Sequence, residues 1–333
     1  MVTSEKILKK PRVAKSLIGK SLSEFDKLFA DFENIHTERQ SGIEHTRHHK
    51  SKRQRAVGAG RKSKYGLRDR LLMTLFPWHR PPGQVWLRAY MTFELLGFFY
   101  DLDKTNIEDN LKDVLNTLEA ITDFNFERPS AERTQLRSVQ EVMDAFPDVR
   151  LILDAKEQRI ERPASKKDKD GKVQDRQKPY YSGKKKTHTL KNQIAVAPNG
   201  RIEDASESVP GGANHGLTLL RQTNLLAKLA HDEAAMMDKG YDGICADYPD
   251  KKLSLPFKAR RNHPLTEEQK AYNRFLSKYR IVVEHTNAQL NNYQVPPQRF
   301  RHQLAQPTRI FRIVCGLINR RVQLHPLKLY GVA

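Results

Sequence analysis

Cysteine is nearly missing from the 333 residues: Cys245 and Cys315 are the two present. Two thiols build neither a disulfide framework nor a four-ligand zinc site. Long apolar runs are also lacking. Pieces such as Leu71–Phe76 and Phe93–Tyr100 fall well short of the ~18 residues a membrane helix needs, so no membrane partner is expected. The N-terminus does not show the charged, apolar, small-residue order of a secretory signal. These absences exclude the disulfide-stapled secreted, membrane and zinc-finger classes and predict a cytoplasmic protein. Acid is in short supply as well: 39 Asp+Glu stand against 59 Lys+Arg, a formal +20. The hydrophobic fraction of 38% makes a thin core, yet the length suffices for about two domains of roughly 100–200 residues.

The charge is unevenly placed. Residues 1–70 hold 18 basic and 8 acidic side chains, residues 71–150 hold 8 and 13, and residues 151–333 hold 33 and 18. Basic ends around an acidic middle point to a surface that faces a polyanion, because each phosphate neutralised releases counterions. Nucleic acid is the leading partner; solubility alone is the plainer alternative.

Along the chain, Leu22, Phe25, Leu28, Phe29 and Phe32 recur at helical spacing behind Ser21 or Ser23 as cap. Residues 36–66 read as a basic linker, with His45, Arg47, His48, His49 and Lys50 followed by Gly58-Ala59-Gly60. Helices are predicted at Leu67–Leu75, from Val85, at Thr92–Tyr100 and at Thr105–Ile121, with Pro77, Pro81 and Pro82 as breakers. Thr105 and Glu108 have capping-box form. The last two helices around Asp101-Leu102-Asp103 have the layout of a helix-turn-helix, though Glu108, Asp109, Asp113 and Glu119 would repel phosphate. After Pro147 the period changes. Strands are predicted at Val149–Leu153, Thr189–Ala197, Arg201–Val209, Ala234–Met237 and Leu253–Lys258. Asn199-Gly200 marks a hairpin. A helix is predicted at Leu217–Leu229, a long one at Thr266–Asn291 with a Thr266/Gln269 capping box and a Tyr272, Phe275, Tyr279, Val282, Val283 stripe, and a last one at Thr308–Val322.

Three acids stand out by position. Asp154 and Asp238 each follow a strand directly, and Glu284 lies within the long helix. The ends of neighbouring strands and a facing helix can bring three carboxylates together, and such a group needs a cation. Hard divalent ions favour an oxygen cage of this kind, and two of them polarise a phosphodiester and activate its attacker. Taken singly, an Asp after a strand is also a turn or cap, and Glu284 is also a helical ion-pair partner for Arg280. Spacings of 84 and 46 residues do not decide between these readings.

Longer motifs add to this. Leu153-Asp154 with Arg159-Ile160-Glu161-Arg162-Pro163, the run Tyr180-Tyr181-Ser182-Gly183-Lys184-Lys185-Lys186-Thr187-His188-Thr189-Leu190-Lys191, Asp238-Lys239-Gly240-Tyr241-Asp242-Gly243, and Arg280-Ile281-Val282-Val283-Glu284-His285 together resemble the DDE transposases of bacterial insertion sequences, in the insertion-sequence-five-like group. The resemblance implies an α/β fold: a ribonuclease-H-like mixed sheet flanked by helices, preceded by an all-α helix-turn-helix domain. It divides the chain into an N-terminal helix and basic linker (1–66), a helical domain (67–146) and a catalytic domain (147–333). Asp154, Asp238 and Glu284 become the catalytic and metal-binding triad for Mg²⁺, with Mn²⁺ as substitute. The implied activity is cleavage at terminal inverted repeats and strand transfer into target DNA. A nucleoid-associated homodimer on double-stranded DNA follows, since two element ends must be handled together. A catalytically inactive DNA-binding regulator is the alternative, and a nuclease that uses water alone is a third reading.

The superfamily signature Tyr, two residues, Arg, three residues, Glu, six residues, Lys fits at Arg280 and Glu284, but Ser277 and Asn291 occupy its Tyr and Lys positions. The family's acidic residue after His is here Gly216, after His215. Lys184, Lys185, Lys186, His188 and Lys191, with Arg280 and Asn291, form the expected DNA-binding set. Lysine contacts to phosphate are sequence-blind; protection of an edge strand is the plainer role. Arg299, Arg301, Arg309, Arg312, Arg320 and Arg321 are a further candidate face, and Tyr181 and Tyr241 are candidate base-stacking groups, with packing as the equal alternative for an aromatic next to glycine.

Overall fold

A computed structural model describes residues 8–9, 21–50, 63–75, 91–121, 149–164, 166–167, 173–174, 177–230, 233–259, 264–293, 297–301 and 306–324. The expectations for the rest of the basic linker (51–62), the three prolines and the helix from Val85 fall outside these residues, as do the side chains of His48 and His49. The chain forms two compact units, one of Met1–Asn125 with Tyr293–Val295, the other of Phe126–Asn292 with Pro296–Ala333.

The first unit is helical: α1 (Leu22–Lys50), α2 (Leu67–Leu75), α3 (Phe93–Tyr100) and α4 (Lys104–Glu119). Phe25, Leu28 and Phe32 of α1 are buried with Leu71 and Leu72 of α2, Leu96 of α3, and Ile107, Leu111, Val114 and Leu118 of α4. The spacing of these residues puts one apolar stripe of each helix on a shared core. Ser21 caps α1: its Oγ accepts from the Glu24 N–H, and Glu24 Oε2 accepts from the Ser21 N–H. The helix continues through residues 36–50, where the sequence reads as linker. A polar anchor on α4 accounts for part of this: Asp113 takes Arg70 at 2.6 Å, His36 at 3.0 Å and Arg39 at 3.6 Å. Composition does not reveal such a long-range hub. α4 also starts two residues earlier than the Thr105 cap predicts, with Asp103 at the N-cap. Asp101, with φ 49°, turns the chain between α3 and α4. Gly97 makes that turn possible, because any side chain there would collide with the Leu102 carbonyl oxygen.

The second unit is built on a mixed sheet. Its strands are β1 (Val149–Arg159), β4 (Tyr181–Ser182), β5 (Thr187–Val196), β6 (Ile202–Ala205), β7 (Val209–Pro210), β8 (Ala234–Met236) and β9 (Lys252–Ser254); β2 (Lys166–Lys167) and β3 (Val173–Gln174) form a separate ribbon. The main order is β4-β5-β1-β8-β9, with β6 and β7 also on β5. β5 runs antiparallel to β1, β8 runs parallel to β1, and β9 runs parallel to β8. Helices α5 (Gly216–Thr223), α6 (Glu267–Asn291) and α7 (Pro307–Leu324) complete the unit. This order and sense are consistent with a ribonuclease-H-like sheet.

β1 extends six residues past its apolar run because pairing with β5 continues from Ile152↔Val196 to Arg159↔Thr189. The ladder satisfies the polar stretch that patterning alone leaves open. Conversely, the predicted helix at 217–229 stops at Asn224, a left-handed residue with φ 47°, and gives way to a single 3₁₀ turn. Thr266 and Gln269 form the capping box that opens α6. The buried stripe of α6 is Leu276, Val282, Val283, Thr286 and Leu290, whereas Phe275 is exposed.

The sheet has two working faces. Leu151 and Leu153 pack with Leu220, Leu226, Met237 and Tyr241. Residues 152, 154 and 156 alternate to the opposite face, which meets α6. On α7, Asn319 clips strand β6: its Oδ1 accepts from the Ile202 N–H at 2.8 Å and its Nδ2 donates to the Ile202 carbonyl at 2.9 Å.

Candidate active site

The buried part of the site begins where β1 leaves its apolar run. The Asp154 carboxylate accepts from its neighbour's N–H (Ala155, 2.9 Å) through Oδ1 and from Asn287 Nδ2 of α6 (2.6 Å) through Oδ2. Burial pushes this carboxyl above its ordinary value, and the charge of Asp238 adds to the rise. The Ala155 N–H, the Arg280 guanidinium and the Asn287 amide offset only part of it.

Asp238 follows β8, the strand parallel to β1. It is the N-cap of the next turn, where its Oδ1 accepts from the Lys239 N–H at 2.6 Å. Arg280 Nη1 lies 3.4 Å from the same oxygen. One guanidinium therefore faces two carboxylates that stand 84 residues apart in the chain. The Tyr241 phenol is 2% exposed, lies 3.4 Å from Gln193 Oε1, and is held above its ordinary range by burial and then by Asp154 and Asp238. It is a wall of the site, so the stacking role suggested for it from sequence is corrected. Gly216 belongs to that wall: a Cβ there would lie 3.3 Å from the Tyr241 ring, which gives a steric reason for glycine after His215.

Helix α6 supplies the facing side. Arg280, Glu284, Asn287 and Asn291 fall at i, i+4, i+7 and i+11 and share one stripe. Arg280 reaches Asp238, Asn287 reaches Asp154, and Asn291 Oδ1 accepts from Lys156 Nζ. Glu284 lies on that stripe between Arg280 and Asn287, is exposed, and has no hydrogen bond or ion pair among the described residues. Among the described residues no three His, Cys, Asp or Glu side chains stand close enough together to hold a metal. The structure thus unites Asp154 and Asp238 around Arg280 and leaves Glu284 on the adjoining helix face.

Chemically, the residues present suit a hard divalent cation. Two carboxylates share the Arg280 guanidinium, one of them is destabilised by burial, and Glu284, with no partner among the described residues, lies on the same stripe of α6. Arg280 stands where excess negative charge requires a cation. Asn287 holds Asp154 through Nδ2, and its buried Oδ1 has no hydrogen-bond partner among the described residues. Asn287, Lys156 and Gln193 were not singled out from sequence. The 3.6 periodicity from Glu284 was the available signal for Asn287, and strand alternation from Asp154 was the signal for Lys156.

The expected DNA-binding residues divide. Lys184, Lys185 and Lys186 are exposed on the turn between β4 and β5. His188 packs edge-on against Tyr181, which is 48% exposed. Lys191 is not a DNA contact: it is 8% exposed, ion-paired with Glu157 at 3.4 Å and donates to the Asn214 carbonyl at 2.7 Å. β5 carries it into the sheet, where an ammonium needs a partner. Arg299 pairs with Glu161, and Arg312 donates to the Ala205 carbonyl, so both are engaged within the protein. No helix among the described residues is long and apolar enough to cross a membrane.

A probable transposase for insertion sequence element IS702 from Microchaete diplosiphon is 26% identical over 269 residues, which span 80% of this chain and 84% of that protein. No solved structure matches. The description "DDE superfamily endonuclease" matches residues 153–319, half of the chain and the stretch that carries Asp154, Asp238, Glu284 and the helix facing them. The chain belongs to the DDE superfamily endonucleases.

Proposed function

We propose that this chain is the transposase of an insertion sequence: it cuts DNA at the element's terminal inverted repeats and joins the exposed 3′ ends to target DNA. The observation that carries the reading is that Asp154, within β1, and Asp238, just after the parallel strand β8, share the Arg280 guanidinium beside the α6 stripe that carries Glu284.

In this reading Asp154, Asp238 and Glu284 hold Mg²⁺, or Mn²⁺ in its place. The bound ions supply charge stabilisation at the scissile phosphate and lower the pKa of the attacking water or hydroxyl. The chain's own groups prepare the site. Asn287 and the Ala155 N–H fix the plane of the Asp154 carboxylate, the Lys239 N–H fixes that of Asp238, and Arg280 compensates both. Lys184, Lys185 and Lys186 hold the DNA backbone beside them. In cleavage, water oxygen bonds to phosphorus as the P–O3′ bond breaks, leaving a 3′-hydroxyl and a 5′-phosphate. In joining, that hydroxyl attacks a target phosphorus and displaces the target's own 3′ oxygen.

We also assign α3, its turn and α4 to a helix-turn-helix. The exposed side of α4 carries Glu108, Asp109 and Glu119 against Lys104 and Lys112. Net affinity for phosphate therefore comes from the basic segments elsewhere. The working form on DNA is a homodimer in the cytoplasm at the nucleoid, and sedimentation of the protein–DNA complex measures its stoichiometry.

The test is incubation of the full chain with Mg²⁺ and labelled duplexes carrying the element's ends plus a target plasmid. Nicked ends and joined products are expected. Nicking without joining would reassign the protein as a nuclease. Binding without nicking would reassign it as a regulator.

A further inference from the structure

Lys156 is a positive charge without an acid of its own. It lies two residues after Asp154 on β1, so both side chains leave the same face of the sheet. It is half-buried. Its Nζ donates to Asn291 Oδ1 and to the Asn287 carbonyl oxygen at 3.4 Å. Both acceptors are neutral, and among the described residues no carboxylate lies within ion-pair distance. Lys191 on the neighbouring strand shows the ordinary solution, with Glu157 beside it. An ammonium taken partly out of water and given only amide oxygens is costly to hold. Two of its three donors are occupied and one remains.

A second cation lies on the exposed turn after β4: the charge of Lys185 opposes that of Lys156, while Asp154, on the same face of β1, favours it. Two ammonium groups that repel each other beside a carboxylate site are a seat for an anion. Sequence-blind lysine contacts of this kind suit a nucleic-acid phosphate.

We propose that Lys156, together with Lys185, binds a backbone phosphate of the DNA strand next to the phosphate under attack, and so sets the strand's register on Asp154 and Asp238. The proposal rests on the reading that this chain acts on DNA, and it adds a substrate contact from β1 where α6 presents only amides.

The test uses the full chain in EDTA with a short fluorescein-labelled duplex of arbitrary sequence, titrated between about 50 and 200 mM NaCl. Lys156→Gln is expected to weaken binding about tenfold at low salt and to reduce the salt slope by about 0.9, one phosphate contact. Because Nζ of Lys156 touches Asn291, the swap Lys156→Asn with Asn291→Lys places an ammonium at the same point and restores both quantities. Asn291→Asp leaves the lysine in place but gives it an acid. It is expected to weaken binding more than Asn292→Asp, which adds the same charge next door. This pair decides the matter if Lys156→Gln does not fold. An unchanged isotherm and slope for Lys156→Gln, or equal effects of Asn291→Asp and Asn292→Asp, would overturn the proposal. Parallel nicking by the wild type with Mg²⁺ keeps the two readings separate: binding without nicking counts against cleavage alone, and nicking with an unaltered Lys156→Gln isotherm counts against Lys156 alone.

Discussion

Asp113 in the helical unit and Asp154 in the sheet unit are both partly buried acids, and their surroundings treat them oppositely. Burial pushes both upward. For Asp113, the His36 hydrogen bond and the Arg70 guanidinium outweigh it and hold the carboxyl at about 2. For Asp154, an N–H, an amide and a shared arginine do not suffice, and the carboxyl stays above its ordinary value. The first acid has three cationic or hydrogen-bonding partners within 3.6 Å. The second shares Arg280 with another carboxylate. A well-compensated acid holds helices together, whereas an under-compensated pair is poised for an added cation.

Substitutions should separate these two roles. The largest expected effect is on chemistry. Asp238→Asn removes a charge from the site and should lower Mg²⁺-dependent nicking by about a thousandfold or more, while DNA binding in EDTA is not weakened. Nicking assays beside anisotropy titrations check both halves. Next, Asp113→Asn leaves Arg70 and Arg39 without their acid and should destabilise the helical unit by about 3 kcal/mol, read from urea unfolding with nicking retained in the folded fraction.

Acid should act on the same hub. The folded pKa of Asp113, about 2, lies below the ~3.9 of an unfolded Asp, so the unfolded chain binds the proton first. The associated stability, about 2.6 kcal/mol before any discount for partial exposure, is fully present above about pH 4 and is lost as pH falls through 2. Asp113→Asn should flatten that part of the stability–pH curve. The smallest effect is of opposite sign: Asp154→Asn in EDTA removes an under-compensated charge and should leave the sheet unit as stable as wild type, or up to about 1 kcal/mol more stable. A destabilisation comparable to that of Asp113→Asn would erase the distinction between the two acids.

Much of the framework was legible in the sequence, and for local reasons. The Thr266/Gln269 box marks its own helix start, and the apolar run before Asp154 marks a buried strand. The motifs around Asp154 and Asp238 carry two acids that the fold brings to one arginine, Arg280. What escaped depends on partners distant in sequence. The extent of α1 past residue 36 reflects contacts with Asp113, 77 residues away. The length of β1 reflects the β5 ladder. Lys191 looks like one more member of a basic run, and only its position inside the sheet shows that Glu157 neutralises it. Lys156 reads as a solvated lysine until α6 covers it. Charge counting sees the supply of cations but not which are already paired.

The central claim, that Asp154, Asp238 and Glu284 serve one divalent cation site, is tested most directly by Mn²⁺ electron paramagnetic resonance on the full chain bound to duplex DNA. Wild type should take up Mn²⁺, and Asp154→Asn, Asp238→Asn and Glu284→Gln should each lose it, with DNA still bound. Retention of wild-type Mn²⁺ uptake by Glu284→Gln would contradict the account.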